Sequence, residues 1–275
     1  MRPLGPAAAF LDNGAMTLLY IVLATFAGGL LSVLVAASLT VGVLTRLVKS
    51  LVSLSAGILL GTSLLNVLPE AFESHSSPPQ TLFAVLLGGL LFFWLLEKVE
   101  LYRHTHHHED DGHHHHHHFD AEQAGRGGLT VLVGDSIHNF CDGAIIAAAF
   151  LADTRLGFAT ALAIVAHEIP QEVGDYIVLL NAGLSRAKAL LFNAISGMAS
   201  VVGGVLGYYL IGSFDGVLPY LLVLAASSFI YISVADLLPQ LQQRLAWRDT
   251  LAQVAWLGVG LAVAFAVSQL LHGAH

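Results

Sequence analysis

The chain has 275 residues, 56% of them hydrophobic and only 11% charged, with a net charge of −8 and a mean hydropathy of +0.73. Soluble domains carry about 25% charged residues, so a soluble globular protein is excluded, and the apolar content excludes disorder. No basic stripe is present to bind nucleic acid, and a single cysteine rules out an internal disulfide framework.

An α-helix needs about 20 mostly apolar residues to cross a bilayer. Eight such stretches run near residues 17–38, 51–71, 81–101, 128–151, 156–181, 189–212, 217–238 and 250–271. They predict an all-α polytopic membrane protein forming one transmembrane domain over 1–275. The first run exceeds the 7–15 residues, roughly, of a signal-peptide core, which predicts a retained helix. The third is apolar from Leu82 to Leu96 and then meets Glu97. Gly57/Gly61 and Gly203/Gly204/Gly207 have the small-residue spacing that lets membrane helices approach closely. No tandem repeat is visible.

Basic residues set the orientation. Arg46 and Lys49 follow segment one; Lys98, Arg103 and Arg126 flank the three–four connection; Arg186 and Lys188 follow segment five; Arg244 and Arg248 follow segment seven. Only Arg2 and Arg155 fall on the other side. Cytoplasmic loops are the ones enriched in Lys and Arg, so both termini are expected outside and the three–four loop inside. The short connections suggest a bacterial inner membrane protein.

The one long connection, 102–127, is rich in histidine. It holds His104, His106, His107, His108, His113, His114, His115, His116, His117 and His118, with Glu109, Asp110 and Asp111 among them. Such a segment cannot build a packed core. Its imidazoles and carboxylates suit zinc, nickel or copper, which predicts a cytosolic metal sponge or sensor, with a plain polar spacer as the alternative.

Segments four and five carry polar residues that are expensive in a membrane. In segment four His138 and Asp142 share a helix face, as do Asp135 and Asn139. Cys141 lies beside them. In segment five His167 and Gln171 share one face, and Glu168, Glu172 and Asp175 line another. His138 and His167 both lie about 15 Å from a membrane surface at 1.5 Å per residue, near the midplane of a ~30 Å core. Imidazole with carboxylate matches divalent transition metals, zinc above all. Pro170 withholds an N–H from the helix and frees the carbonyl around Ala166. Glu70, Asp236 and Glu97 near helix ends are candidate inlet and outlet ligands, or ordinary interfacial residues.

The sequences His138-Asn-Phe-Cys-Asp-Gly143 and His167-Glu-Ile-Pro-Gln-Glu-Val-Gly-Asp175 resemble the fourth- and fifth-helix signatures of the ZIP family of zinc and iron transporters. They are most similar to its HNFxDG and HExPHExGD subgroup. The resemblance covers nearly the whole chain. It implies inward transport of divalent metal, a bundle with inverted three-helix repeats around helices four and five, and a homodimer. It also implies that His138, Asn139, Asp142, His167, Glu168, Gln171 and Glu172 surround the metal. The subgroup's second His of helix five is Gln171 here, a weaker zinc ligand, which leaves Fe²⁺, Mn²⁺ and Cd²⁺ open as cargo beside Zn²⁺. Segment six offers Asn193, Ser196 and Ser200 but no acid, which argues against a tightly bound second metal.

Two other readings compete. A membrane metal sensor would bind without flux. An intramembrane metalloprotease would use His167-Glu168-Ile-Pro-Gln171 as a near miss to HExxH, but the second His is missing, so no enzyme is expected. No GxxxxGK[ST] phosphate loop occurs.

Overall fold

The computed structural model describes residues 6–38, 41–73, 77–105, 121–181, 183–212, 216–242 and 246–272. Eight long helices fill them, with no strand among the described residues. They are α1 (Pro6–Ser38), α2 (41–73), α3 (Pro79–Thr105), α4 (Ala121–Ala152), α5 (Thr154–Asn181), α6 (Arg186–Ile211), α7 (218–242) and α8 (Trp247–His272). Helix is what lipid demands, because each backbone N–H and C=O must be satisfied within its own segment. The chain is thus an all-α polytopic membrane protein.

Among the described residues, six helices contain stretches long and apolar enough to cross a membrane: Gly14–Ser38, Ser50–Glu73, Pro79–Leu96, Arg186–Ile211, Leu218–Gln242 and Trp247–Leu270. Those of α4 and α5 are interrupted by Asp135, Asp142, Glu168, Glu172 and Asp175. The helices outrun the apolar stretches. α3 continues to Thr105 and α4 begins at Ala121, so both reach into the 102–127 segment expected as loop. Hydropathy marks only the part of a helix inside hydrocarbon; Glu, Gln, Ala and Arg extend it into water. The histidines from His106 to His118, like the side chain of His104, lie outside the described residues.

The packing has an internal symmetry. α1 packs on α5 and α6, α2 on α5 and α8, α3 on α7, and α4 on α5 and α6. Exchanging α1 with α6, α2 with α7, α3 with α8 and α4 with α5 carries the α2–α8 contact onto α7–α3, and α4–α6 onto α5–α1. The sequence agrees once the structure shows where to look. Ser-Leu-Leu-Asn-Val-Leu-Pro-Glu at 63–70 matches Ser-Val-Ala-Asp-Leu-Leu-Pro-Gln at 233–240. Each begins in a π-helical turn, Ser63–Val67 in α2 and Ile232–Leu237 in α7. The matched contacts use small residues. A Cβ on Gly57 of α2 would strike the Leu257 carbonyl and Gly260 of α8, and one on Gly89 of α3 would strike Ser227 of α7. At the α4–α6 crossing, Cβ atoms on Gly143 and Gly203 would strike the carbonyls of Ser200 and Phe140.

Helix ends are closed locally. Gly183, at φ 86°, ends α5 with the Gly183 N–H on the Leu180 carbonyl and the Leu184 N–H on that of Leu179. The Asp153 carboxylate accepts the N–H groups of Arg155 and Leu156 at the start of α5. The Arg155 guanidinium donates to the Leu270 carbonyl near the end of α8. Lys98 lies over Trp94 and Arg248 over Trp247, pairs suited to a membrane–water boundary. α3 and α8 present Phe83, Leu87, Leu91, Leu251, Val254 and Phe265 outward, as lipid contact requires.

Candidate metal centre

Where α4 crosses α5, four side chains converge. His138 and Asp142 sit one turn apart on α4, and the consecutive His167 and Glu168 face them from α5. His138 Nε2 lies 3.3 Å from His167 Nε2, 3.7 Å from Asp142 Oδ2 and 3.6 Å from Glu168 Oε1. His167 Nε2 lies 3.1 Å from Asp142 Oδ2 and 3.7 Å from Glu168 Oε1. All four ligand atoms fall within 4.8 Å of one another. Ligands at 2.0–2.2 Å from a tetrahedral ion are separated by about 3.3–3.6 Å, so the separations made by the two imidazoles lie close to those of a four-coordinate zinc cage.

The donor chemistry agrees with the spacing. Asp142, His167 and Glu168 are at most 3% exposed, and outside this cluster neither carboxylate has a hydrogen-bond partner. Buried polar atoms are ordinarily satisfied, and two adjacent bare carboxylates repel. A cation answers both problems. His167 Nδ1 lies 3.3 Å from the Ala163 carbonyl. That acceptor keeps a proton on Nδ1 and leaves the Nε2 lone pair for the cage.

The other residues expected around the metal form a separate group. Asn139 donates from Nδ2 to Asp135 Oδ1 at 3.1 Å, and Gln171 from Nε2 to the same oxygen at 3.4 Å. Gln171 thus turns toward Asp135, while Glu168 turns into the cage with His167. Glu172 is fully buried and both its carboxylate oxygens lack partners. Its backbone carbonyl accepts from Asn193 of α6 at 2.7 Å. Cys141 and Asp175 are half-buried, and neither joins the four-residue cage. Glu70 is half-buried near the end of α2. Asp236 is exposed and accepts from Gln240 at 2.9 Å. The side chain of Glu97 lies outside the described residues.

One neighbour of the site carries no charge and no motif. The hydroxyl of Ser55 on α2 donates to the Ala166 carbonyl, the one that Pro170 leaves free. The proline announces that some donor is needed there, but the sequence does not say which.

The profile of the family described as ZIP Zinc transporter matches residues 97–268, more than half the chain. Zinc transporter foi of Drosophila melanogaster is 38% identical over 111 residues, 40% of this chain and 16% of that protein. Zinc transporter ZIP6 of Homo sapiens is 37% identical over 111 residues, 40% of this chain and 15% of its own. Metal cation symporter ZIP14 of Bos taurus is 37% identical over 113 residues, 41% and 23%. The matched segment therefore spans less than a quarter of each of these relatives. Family membership also answers the protease reading: the matched proteins are transporters, and the residue at the second HExxH position points away from the cage. The match across more than half the chain makes this chain a member of the ZIP zinc transporter family.

Proposed function

We propose that the protein carries divalent transition metal, zinc first, across the bilayer toward the cytoplasm through the cage between α4 and α5. The observation that carries this reading is that the Nε2 atoms of His138 and His167 lie 3.1–3.7 Å from each other and from the carboxylates of Asp142 and Glu168. Two imidazoles favour zinc over magnesium or calcium, which prefer oxygen alone. Two carboxylates and two imidazoles also exchange more readily than four thiolates, as cargo requires. Fe²⁺, Mn²⁺ and Cd²⁺ are further cargo of the same charge.

Direction follows from the orientation read from the basic residues. Asp135 lies toward the cytoplasmic end of α4 from His138, and Glu172 lies toward the cytoplasmic end of α5 from His167. The group of Asp135, Asn139, Gln171 and Glu172 therefore stands between the cage and the cytoplasm and offers the leaving ion its next oxygens. The loop histidines would receive it there. A homodimer in a bacterial inner membrane rests on the family resemblance and the short connections; the relatives compared above are animal proteins.

The test is zinc flux into liposomes carrying the purified chain, with an indicator dye inside. Wild-type flux that collapses in Asp142→Ala and His167→Ala supports the reading. Zinc binding without flux, under both zinc and proton gradients, would favour a sensor. Undiminished flux in both variants would move the route elsewhere.

A further inference from the structure

Proline inside a helix gives no N–H to the carbonyl four residues back. For Pro170 that carbonyl belongs to Ala166, immediately before His167. It accepts the hydroxyl of Ser55, a fully buried residue of α2. Among hydroxyls that cross to another helix, Ser227 of α7 reaches the Leu86 carbonyl of α3 but also bonds its own Val223 carbonyl. Thr25, Ser32, Ser63, Ser136 and Ser233 turn their hydroxyls back onto their own helices, the common habit of helical Ser and Thr. Ser55 reaches across to another helix. The same arrangement occurs a second time. Pro69 gives no N–H to the Leu65 carbonyl, and Ser268 of α8 donates to that carbonyl at 3.1 Å. In lipid, a freed carbonyl has to be taken up by a neighbouring helix.

We propose that Ser55 is a positioning residue of the metal centre: its hydroxyl holds the carbonyl released by Pro170, and so fixes the turn of α5 that carries His167 and Glu168. The proposal rests on reading the four-residue cage as the metal site. Both α5 ligands are consecutive, so a shift of that turn moves half the cage at once. Binding constellations tolerate displacements of only about 0.5 Å. A proline at this point removes the helix's own restraint, and Ser55 replaces it with a restraint from α2.

The experiment is an equilibrium zinc titration of the full chain in detergent, with the ten loop histidines replaced by serine in every variant. Ser55→Ala is expected to weaken zinc binding about tenfold, the lower range for outer-shell groups. Ser55→Thr, which keeps the hydroxyl, is expected to stay within about threefold of wild type, on the same scale. The decisive comparison uses Pro170→Ala, which restores an N–H for the Ala166 carbonyl. In that background Ser55→Ala should change affinity by less than about twofold. Equal losses in the two backgrounds would mean that Ser55 merely packs, and would overturn the proposal, as would an unchanged Ser55→Ala. If Ser55→Ala alone yields no folded protein, rescue by Pro170→Ala supports the link, and failure of the double variant overturns it. Wild-type protein that binds no zinc would overturn the metal centre itself, and this role with it.

Discussion

His138 on α4 and His167 on α5 bring their Nε2 atoms to 3.3 Å, with ring planes at 84°. The Ala163 carbonyl occupies the far nitrogen of His167, so the near lone pair points toward His138. A divalent ion held between the two rings would take both nitrogens as ligands, with the carboxylates of Asp142 and Glu168 balancing its charge.

The first consequence is a division among the conspicuous residues of the two motifs. Asp142→Ala, His167→Ala and Glu168→Ala should each weaken zinc binding by more than the roughly 10–100-fold typical of outer-shell changes. Asn139→Ala and Gln171→Ala should stay within or below that range, because their amides bond Asp135. Zinc titration of the loop-substituted chain separates the two classes. A Gln171→Ala loss larger than that of Glu168→Ala would reverse the assignment.

Metal preference should follow the imidazoles. Replacing His167 by Asp leaves one nitrogen among the four ligands and moves the cage toward harder cations. In competition uptake, the zinc-to-manganese ratio is expected to fall at least about tenfold, on the ordering of ligand preferences. An unchanged ratio would show that selectivity is set outside the cage.

Glu172 supplies a different contrast. It is fully buried, with both oxygens lacking partners, and burying an unpartnered carboxyl group is costly. Glu172→Gln should therefore melt, metal-free, at a temperature equal to or above that of wild type, while zinc flux falls at least about tenfold, in line with loss of an outer-shell group. Thermal unfolding in detergent and liposome flux read the two effects separately.

The α4–α6 crossing that supports His138 depends on absent side chains. Gly143→Ala drives a Cβ into the Ser200 carbonyl and the Gly204 nitrogen, backbone that cannot step aside. Overpacking of this kind costs about 1–3 kcal/mol, and a lowered melting temperature should show it. Gly174→Ala, inside the α5 motif, meets nothing within 4 Å. It should be neutral or stabilise by up to about 1 kcal/mol, since Ala is the better helix former.

Much of this was legible in the residues themselves. Apolar runs located the eight helices, and the polar interruptions in α4 and α5 pointed to the residues that converge in the four-residue cluster. Spacing placed His138 with Asp142 and Asn139 with Asp135, because positions four apart share a helix face wherever that helix packs. On α5 spacing was not enough. It grouped His167 with Gln171 and Glu168 with Glu172; the azimuth presented to α4 is set by tertiary packing, which brings Glu168, already expected near the metal, to His167 and turns Gln171 toward Asp135. Ser55 was invisible for a related reason: its role lies in a partner 111 positions away. The 63–70 and 233–240 repeat escaped because substitutions such as Asn66 against Asp236 hide it until the matching π-helical turns align it. Helix ends beyond the hydrocarbon, such as the start of α4 at Ala121, leave no mark in an apolar run.

The central claim is that one ion is held by His138, Asp142, His167 and Glu168 together. X-ray absorption at the zinc edge tests it most directly, on the full chain with the ten loop histidines replaced by serine and one equivalent of zinc. The account predicts four nitrogen and oxygen neighbours at about 2.0–2.2 Å, with the outer-shell scattering of two imidazoles, reduced to one in His138→Ala. A sulfur neighbour at about 2.3 Å would put Cys141 on the ion, and a shell of oxygens alone would remove both histidines from it; either result would contradict the cage.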